Sequence, residues 1–260
     1  MTDASNAPVL IQRNGTVVTL RFNRPAALNA IDIALAEGFE AAVNSVAADS
    51  SLRVIVLSGA GRSFMAGGDL SVFQGAASLP DAADLLIGPL HRAVQRLHTA
   101  PQIVLASLHG AVAGAGLSLA LLADLAIADT TVKLNMAYAR IQAVPDCGGS
   151  WALARLVGHR KAMEIALLSE TLLAEEALRL GLINRVVPEG QLQAETAALA
   201  QRLAGLSSAS ALGIRDLLRA ARDTDLPTQL EAERQAFRHA AATPEFAHAI
   251  AGFFARKTKS

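Results

Sequence analysis

Apolar and polar positions along the chain follow two rhythms. Short β-branched runs over 9–12 and 16–22 flank Asn14-Gly15, and a two-residue Asn-Gly between such runs predicts a β-hairpin. Over 31–46 apolar residues return at helical spacing, and 53–58 follows as a short buried strand ending at Gly59. The unit recurs: a helix over 82–97, a strand over 102–108, a helix over 114–122 and a strand over 124–128. Such alternation predicts an α/β fold of stacked strand and helix layers. Residues 175–180 read as a helix stopped by a glycine cap at Gly181, and a strand over 182–187 closes the core. Beyond Pro188 the pattern is helical and alanine-rich, broken at Ser207-Ser208, Asp223-Thr224-Asp225 and Thr243-Pro244. A core over 1–190 and a helical region over 191–260 are therefore expected. That region either packs on its own core or serves subunit assembly.

Composition narrows the partners. The 260 residues are 52% hydrophobic, with 23 basic against 23 acidic side chains, so a large core can form and no net field draws nucleic acid or anionic lipid. A small molecule is the expected partner. The one cysteine, Cys147, excludes an internal disulfide, and Met1 to Asn6 lack the pattern of a secretory leader, so the cytoplasm is expected. The apolar stretch from Leu117 is interrupted at Asp124, well short of a membrane span. Histidines 91, 98, 109, 159, 239 and 248 form no close pair at metal-ligand spacing, and no metal or redox cofactor is expected.

Three segments carry candidate chemistry. A glycine-rich turn runs from Gly59 to Leu70 after the 53–58 strand, and a second runs from His109 to Ser118 into a helix. Neither has the Walker ending or the Rossmann glycine spacing. Turns of small residues leaving strands can aim backbone N–H groups outward, and two of them can hold one oxygen as an oxyanion hole. Alone, each also fits an ordinary tight turn or close helix packing. The third segment is Val144 to Trp151, whose Asp146 either acts on a substrate or caps a helix over 148–156.

Taken together, these segments resemble the crotonase (enoyl-CoA hydratase/isomerase) superfamily over almost the whole chain. The matching pieces are Asn23 to Ala30, Phe64 to Leu70, Gly110 to Gly116, Pro145 to Trp151, Ala174 to Asn184 and Phe253 to Lys257. The resemblance implies a spiral of ββα units with a C-terminal helical region that builds trimers, often paired into hexamers. It implies an acyl-CoA substrate whose thioester oxygen accepts N–H bonds from Gly68 and Ala115. It also implies CoA contacts along Ala26, Leu28, Ala66, Asp69 and Leu70, with Phe253 and Lys257 as weaker candidates, and an acyl pocket beside Gly114, Ser118 and Tyr138.

Hydratases of this family carry carboxylates at the positions held here by Ser118 and Tyr138, and losing both removes the groups that activate water and deliver a proton. Asp146 falls where the dienoyl-CoA isomerases and the PaaG-type isomerases of phenylacetate breakdown carry their acting aspartate. The resemblance therefore implies an enoyl-CoA isomerase with Asp146 as its one acid/base. Two alternatives stay open. Asp146 is also the position of the nucleophile in the family's chlorobenzoyl-CoA dehalogenases, with His91 as a possible partner, although only 4% aromatic residues argue against a ring-lined pocket. The chain could instead bind acyl-CoA without turnover. A Ser118–His109 hydrolase pair has no evident acid partner.

Overall fold

The computed structural model describes residues 6–257, apart from the side chains of 256 and 257. Met1–Ser5, read above for a leader, and the Lys257 side chain lie outside the described residues. The chain divides into two compact units, Met1–Gln201 and Arg202–Ser260.

The first unit opens with β1 (Val9–Asn14) and β2 (Val17–Phe22), an antiparallel pair in which Asn14 faces Val17. The hairpin turn is therefore Gly15-Thr16, one residue later than the Asn-Gly pattern predicts. Gly15 takes φ +60° at the first turn position, where a side chain would be strained. Next come α1 (Ile33–Ala47), β3 (Val54–Gly59) and α2 (Leu79–Thr99). Asp32 caps α1 by accepting the Leu35 N–H at 2.8 Å. Ser78 caps α2, which starts three residues before the expected 82 because Ser78 and the following Pro80 suit a helix start.

The unit continues through β4 (Ile103–Leu108), β5 (Ala111–Ala113), α3 (Ala115–Leu121), β6 (Leu125–Asp129), β7 (Lys133–Asn135), α4 (Gly149–Val157), α5 (His159–Leu168), β8 (Leu172–Leu173), α6 (Ala174–Arg179) and β9 (Arg185–Val187). Helix α7 (Leu192–Ala204) runs across the boundary between units. The large sheet has the order β1-β2-β3-β4-β6-β9 and is parallel except for the opening hairpin. A small second sheet pairs β5, β7 and β8. Every residue of β4 is buried, as a strand covered on both faces requires. Helices α1 and α2 bury Leu35, Phe39, Val43 and Val46, and Leu86, Leu90, Ala93 and Leu97. Phe22 meets Phe39 and Phe64 at centroid distances of 5.2 and 5.5 Å in the same core. β9 is shorter than the 182–187 expectation, since Asn184 pairs with Ala126 through both its side chain and its backbone at 2.8 Å.

The second unit holds α8 (Ser208–Ala220), α9 (Leu226–Ala241) and α10 (Pro244–Lys257), starting at the three expected breaks. Ser207 and Asp225 cap α8 and α9. Among the described residues no helix is long and apolar enough to cross a membrane.

Candidate active site

The first glycine-rich turn is tied to the chain on both sides. The Ile31 N–H donates to the Gly67 carbonyl at 2.7 Å and the Asp69 N–H to the Ile31 carbonyl at 2.8 Å. This bridge uses the groups either side of Gly68 and not its own N–H. The Ala66 N–H donates to the Leu28 carbonyl at 3.1 Å, so Leu28 and Ala66 sit side by side. Ala26 and Leu70 are exposed at the ends of this ledge. Arg24 binds the Asp69 carboxylate at 3.2 Å, and Ser71 donates to the same group at 2.7 Å. The Ser71 hydrogen bond, ahead of Arg24, holds the Asp69 carboxyl below its usual range.

The second turn packs directly on the first. The Met65 N–H donates to the Ala111 carbonyl at 3.0 Å, and the Ala113 N–H donates back to Met65 at 2.9 Å. Gly67 (φ +102°) and Gly114 (φ +52°) then meet, and a Cβ on Gly67 would lie 3.1 Å from the Ala113 carbonyl oxygen. Only residues without side chains allow both the backbone angles and the approach. Ala115, next in line, is the first residue of α3, where an N–H has no carbonyl within its own helix to bond. The N–H groups of Gly68 and Ala115 thus belong to two abutting turns.

Asp146 reaches this pair of turns through side chains. Tyr138 donates its hydroxyl to the Asp146 carboxylate in a short hydrogen bond. Ser118 Oγ lies 3.2 Å from the Tyr138 hydroxyl and donates to the Gly114 carbonyl at 3.4 Å. A continuous chain therefore runs from Asp146 to the residue preceding Ala115. Gly149 makes this possible: a Cβ there would stand 2.2 Å from Ser118 Oγ. Burial first, then the Asp146 charge, pushes the ionisation of both the Tyr138 hydroxyl and the Cys147 thiol far up, so both stay protonated facing the carboxylate.

Several open alternatives are decided by these contacts. The N-cap of α4 is Gly148, without a side-chain cap bond, so Asp146 is not the capping group. Its carbonyl accepts the Gly149 N–H at 2.9 Å, and its side chain turns to Tyr138 instead. Ser118 and His109 are not paired, because His109 Nε2 sits 2.9 Å from the Gly61 carbonyl. His91 lies on an exposed face of α2, yet its Nε2 accepts the Cys147 N–H at 3.1 Å. Phe253, a weaker candidate for a CoA contact, is 63% exposed and meets Phe254 edge-on.

Two organising residues carry no role in the sequence reading. The Asn29 amide, fully buried, donates to the carbonyls of Ala60 and Ser63 at 2.9 and 2.8 Å, while its oxygen accepts the Arg24 N–H. Arg24 in turn binds Asp69 and Asp32. Their signal is the Asn23 to Ala30 segment itself, in which a buried asparagine at φ +57° must satisfy carbonyls that no strand pairs. A separate cavity of about 480 Å³, lined by Arg21, Ser58, Ser107, His109 and Asp129, lies elsewhere in this unit and includes none of Gly68, Ala115 or Asp146. Among the described residues no group of three or more His, Cys, Asp or Glu could hold a metal ion.

Comparison with known proteins adds three observations. The family model described as enoyl-CoA hydratase/isomerase matches residues 12–259. The 1,2-epoxyphenylacetyl-CoA isomerase of Escherichia coli K12 is 34% identical over 93% of this chain and 93% of its own, and a "probable enoyl-CoA hydratase" of Rhodobacter capsulatus is 35% identical over 93% and 91%. A solved structure from Thermobifida fusca YX in complex with acetoacetyl-CoA superposes with a TM-score of 0.84 at 30% identity, covering 91% of this chain and 95% of that one.

Proposed function

The chain belongs to the enoyl-CoA hydratase/isomerase family, and from that premise we propose that it is an enoyl-CoA isomerase using Asp146 as its single acid/base. Relatives carry both isomerase and hydratase names, so the distinction rests on the residues of the site. The observation that carries the reading is the Ser118–Tyr138–Asp146 chain. Where hydratases of the family hold two carboxylates, this protein has two neutral hydroxyls bonded to one another, and the one acid in the chain is Asp146.

The reaction follows from these positions. The thioester oxygen of an enoyl-CoA sits between the N–H groups of Gly68 and Ala115. Asp146 removes a proton from carbon, and the electron pair delocalises through the double bond onto that oxygen as an enolate. The carboxyl, whose proton exchanges with solvent, then delivers a proton to a different carbon, leaving the double bond shifted and the composition of the substrate unchanged. Each oxyanion donor contributes about 3 kcal/mol, and a positioned base contributes on the order of 10²–10⁴ in rate. Tyr138 stays protonated and holds the carboxylate against the second turn. CoA runs along Ala26, Leu28, Ala66, Asp69 and Leu70. Asp69 contributes mainly through its backbone, since its carboxylate is occupied by Arg24 and Ser71. Exposed Leu218, Leu226, Phe237 and Phe253 in the second unit support assembly into a trimer or hexamer.

The test is a panel of 3-enoyl, 2,4-dienoyl, 3,5-dienoyl and ring-epoxide CoA esters in deuterated water, with wild type and Asp146→Asn. Wild type should move the double bond of at least one ester with solvent exchange at the reacting carbons. The variant should lose about 10²–10⁴ in kcat. Full activity of Asp146→Asn on every ester turned over would remove Asp146 as the base. An acyl group trapped on Asp146, seen by mass spectrometry, would assign it to nucleophilic chemistry instead.

A further inference from the structure

His91 has no part in the proton transfer just described, yet it makes a specific contact with the backbone that carries the base. Its Nε2 accepts the N–H of Cys147, the residue after Asp146, at 3.1 Å, across 56 positions of sequence. Cys147 is fully buried and takes φ +48°, a left-handed conformation unusual for a residue with a side chain. Gly148 follows at φ +76°. The chain therefore makes a tight, unfavourable turn between the carboxylate and α4, and such a turn persists only where surrounding contacts hold it.

Those contacts can be enumerated at one peptide unit. On one side, the Asp146 carbonyl accepts the Gly149 N–H at 2.9 Å. On the other, the Cys147 N–H is taken by His91. The first bond is local to the turn. The second comes from α2, an element of the packed core, and fixes the turn relative to the rest of the unit. The Tyr138 bond orients the carboxylate itself, but the direction in which Asp146 leaves the backbone is set by the peptide that His91 holds.

We propose that His91 is a positioning residue for Asp146, accepting the Cys147 N–H so that the Asp146–Cys147 peptide keeps the orientation that presents the carboxylate to substrate. The role rests on the reading of Asp146 as the base. It requires an imidazole whose Nε2 bears no proton, with the proton on Nδ1, since an imidazolium donates from both nitrogens and accepts from neither. The ionisable groups facing this contact are Asp146 and the Cys147 thiol on the turn. Arg92, next to His91 on α2, is paired with Glu40 of α1 at 2.6 Å.

The chain has one cysteine, so full-length protein labelled with heavy-nitrogen cysteine shows one labelled backbone amide, that of Cys147. In His91→Ala this resonance should shift from its wild-type position as the Cys147 N–H loses its acceptor, and in His91→Gln it should lie closer to wild type. His91→Ala should lower kcat by between about 10- and 100-fold through misplacement of the base, with KM unchanged. His91→Gln, whose amide oxygen can accept at similar reach, should recover most of that loss. Thermal unfolding of both variants checks that they fold, which the exposed position of His91 favours. Wild-type kcat in His91→Ala overturns the proposal, as does a glutamine variant no better than alanine or a Cys147 amide resonance unmoved in His91→Ala. If Asp146→Asn is inactive while His91→Ala is fully active, the positioning role fails and the base stands. If wild type and Asp146→Asn behave alike, the base fails and the role of His91 falls with it.

Discussion

Tyr138 and Cys147 surround one carboxylate with protonated groups, and each gives a measurable consequence. The Tyr138 hydroxyl bonds a charged acceptor in a largely buried setting. Tyr138→Phe should therefore cost about 1.5–3 kcal/mol in a denaturant titration and lower kcat as the carboxylate loses its tether; an unchanged midpoint would dismiss the bond. The Cys147 thiol is fully buried, and burial and the Asp146 charge oppose its ionisation. It should resist iodoacetamide at pH 8 in the folded protein and react once unfolded, because the thiolate is the reactive form. At this scale the sequence pattern exposed Asp146 and the two turns, and the family resemblance added the missing hydratase acids. It did not expose the Tyr138–Asp146 bond or the reach of His91, since both depend on how segments eight and 56 positions apart are folded together.

Between elements, the site depends on glycines that let helices and turns approach. Gly149→Ala would drive a methyl toward Ser118 Oγ, 2.2 Å from the new carbon, and should destabilise by about 1–3 kcal/mol through forced repacking of α3 against α4. Turnover of the ester panel should fall with it. Gly149 has no positive φ, so unchanged stability in Gly149→Ala would show that α3 and α4 yield to the methyl without cost. Long periodic elements were legible: α1, β3, β4, α3, β6 and the three C-terminal helix starts fall within a few residues of their patterns. The three-residue strands β5 and β7 and the two-residue β8 were not. A run of two or three residues has no period to detect, and these strands exist because their neighbours pair with them. The hairpin turn shows the same limit, with Thr16 rather than Asn14 joining Gly15 in the loop because strand register decides between adjacent candidates.

For the whole molecule, the raised ionisation of Cys147 and Tyr138 predicts how stability changes with pH. In the folded state both groups keep their protons beyond the ordinary values of 9.0 and 10.0, whereas the unfolded chain releases them there. Their contribution is complete below pH 9 and is lost as pH rises, so unfolding free energy should decline above about pH 9. Urea titrations at pH 7, 9 and 10.5 should show that decline, and Cys147→Ala with Tyr138→Phe should flatten it. Light scattering should give a trimer or a multiple of it, the state that the family resemblance implies, with the exposed aromatics of α9 and α10 as the apolar surface available to it; a monomer at all concentrations would contradict the assembly.

Periodicity, glycine placement and one aspartate in a short motif determined from sequence alone the layered α/β core, the helical C-terminal region, the family resemblance and the candidate base, because these are local in the chain. Only the folded structure decided that Gly67 meets Gly114, that Ser118 and Tyr138 link Asp146 to the second turn, that Gly148 and not Asp146 caps α4, and that His91 holds the Cys147 amide. Each of these is a contact between segments distant in sequence or a choice between neighbouring residues. Packing and strand register settle such contacts through the combined burial of many side chains, and no short stretch of sequence carries that sum.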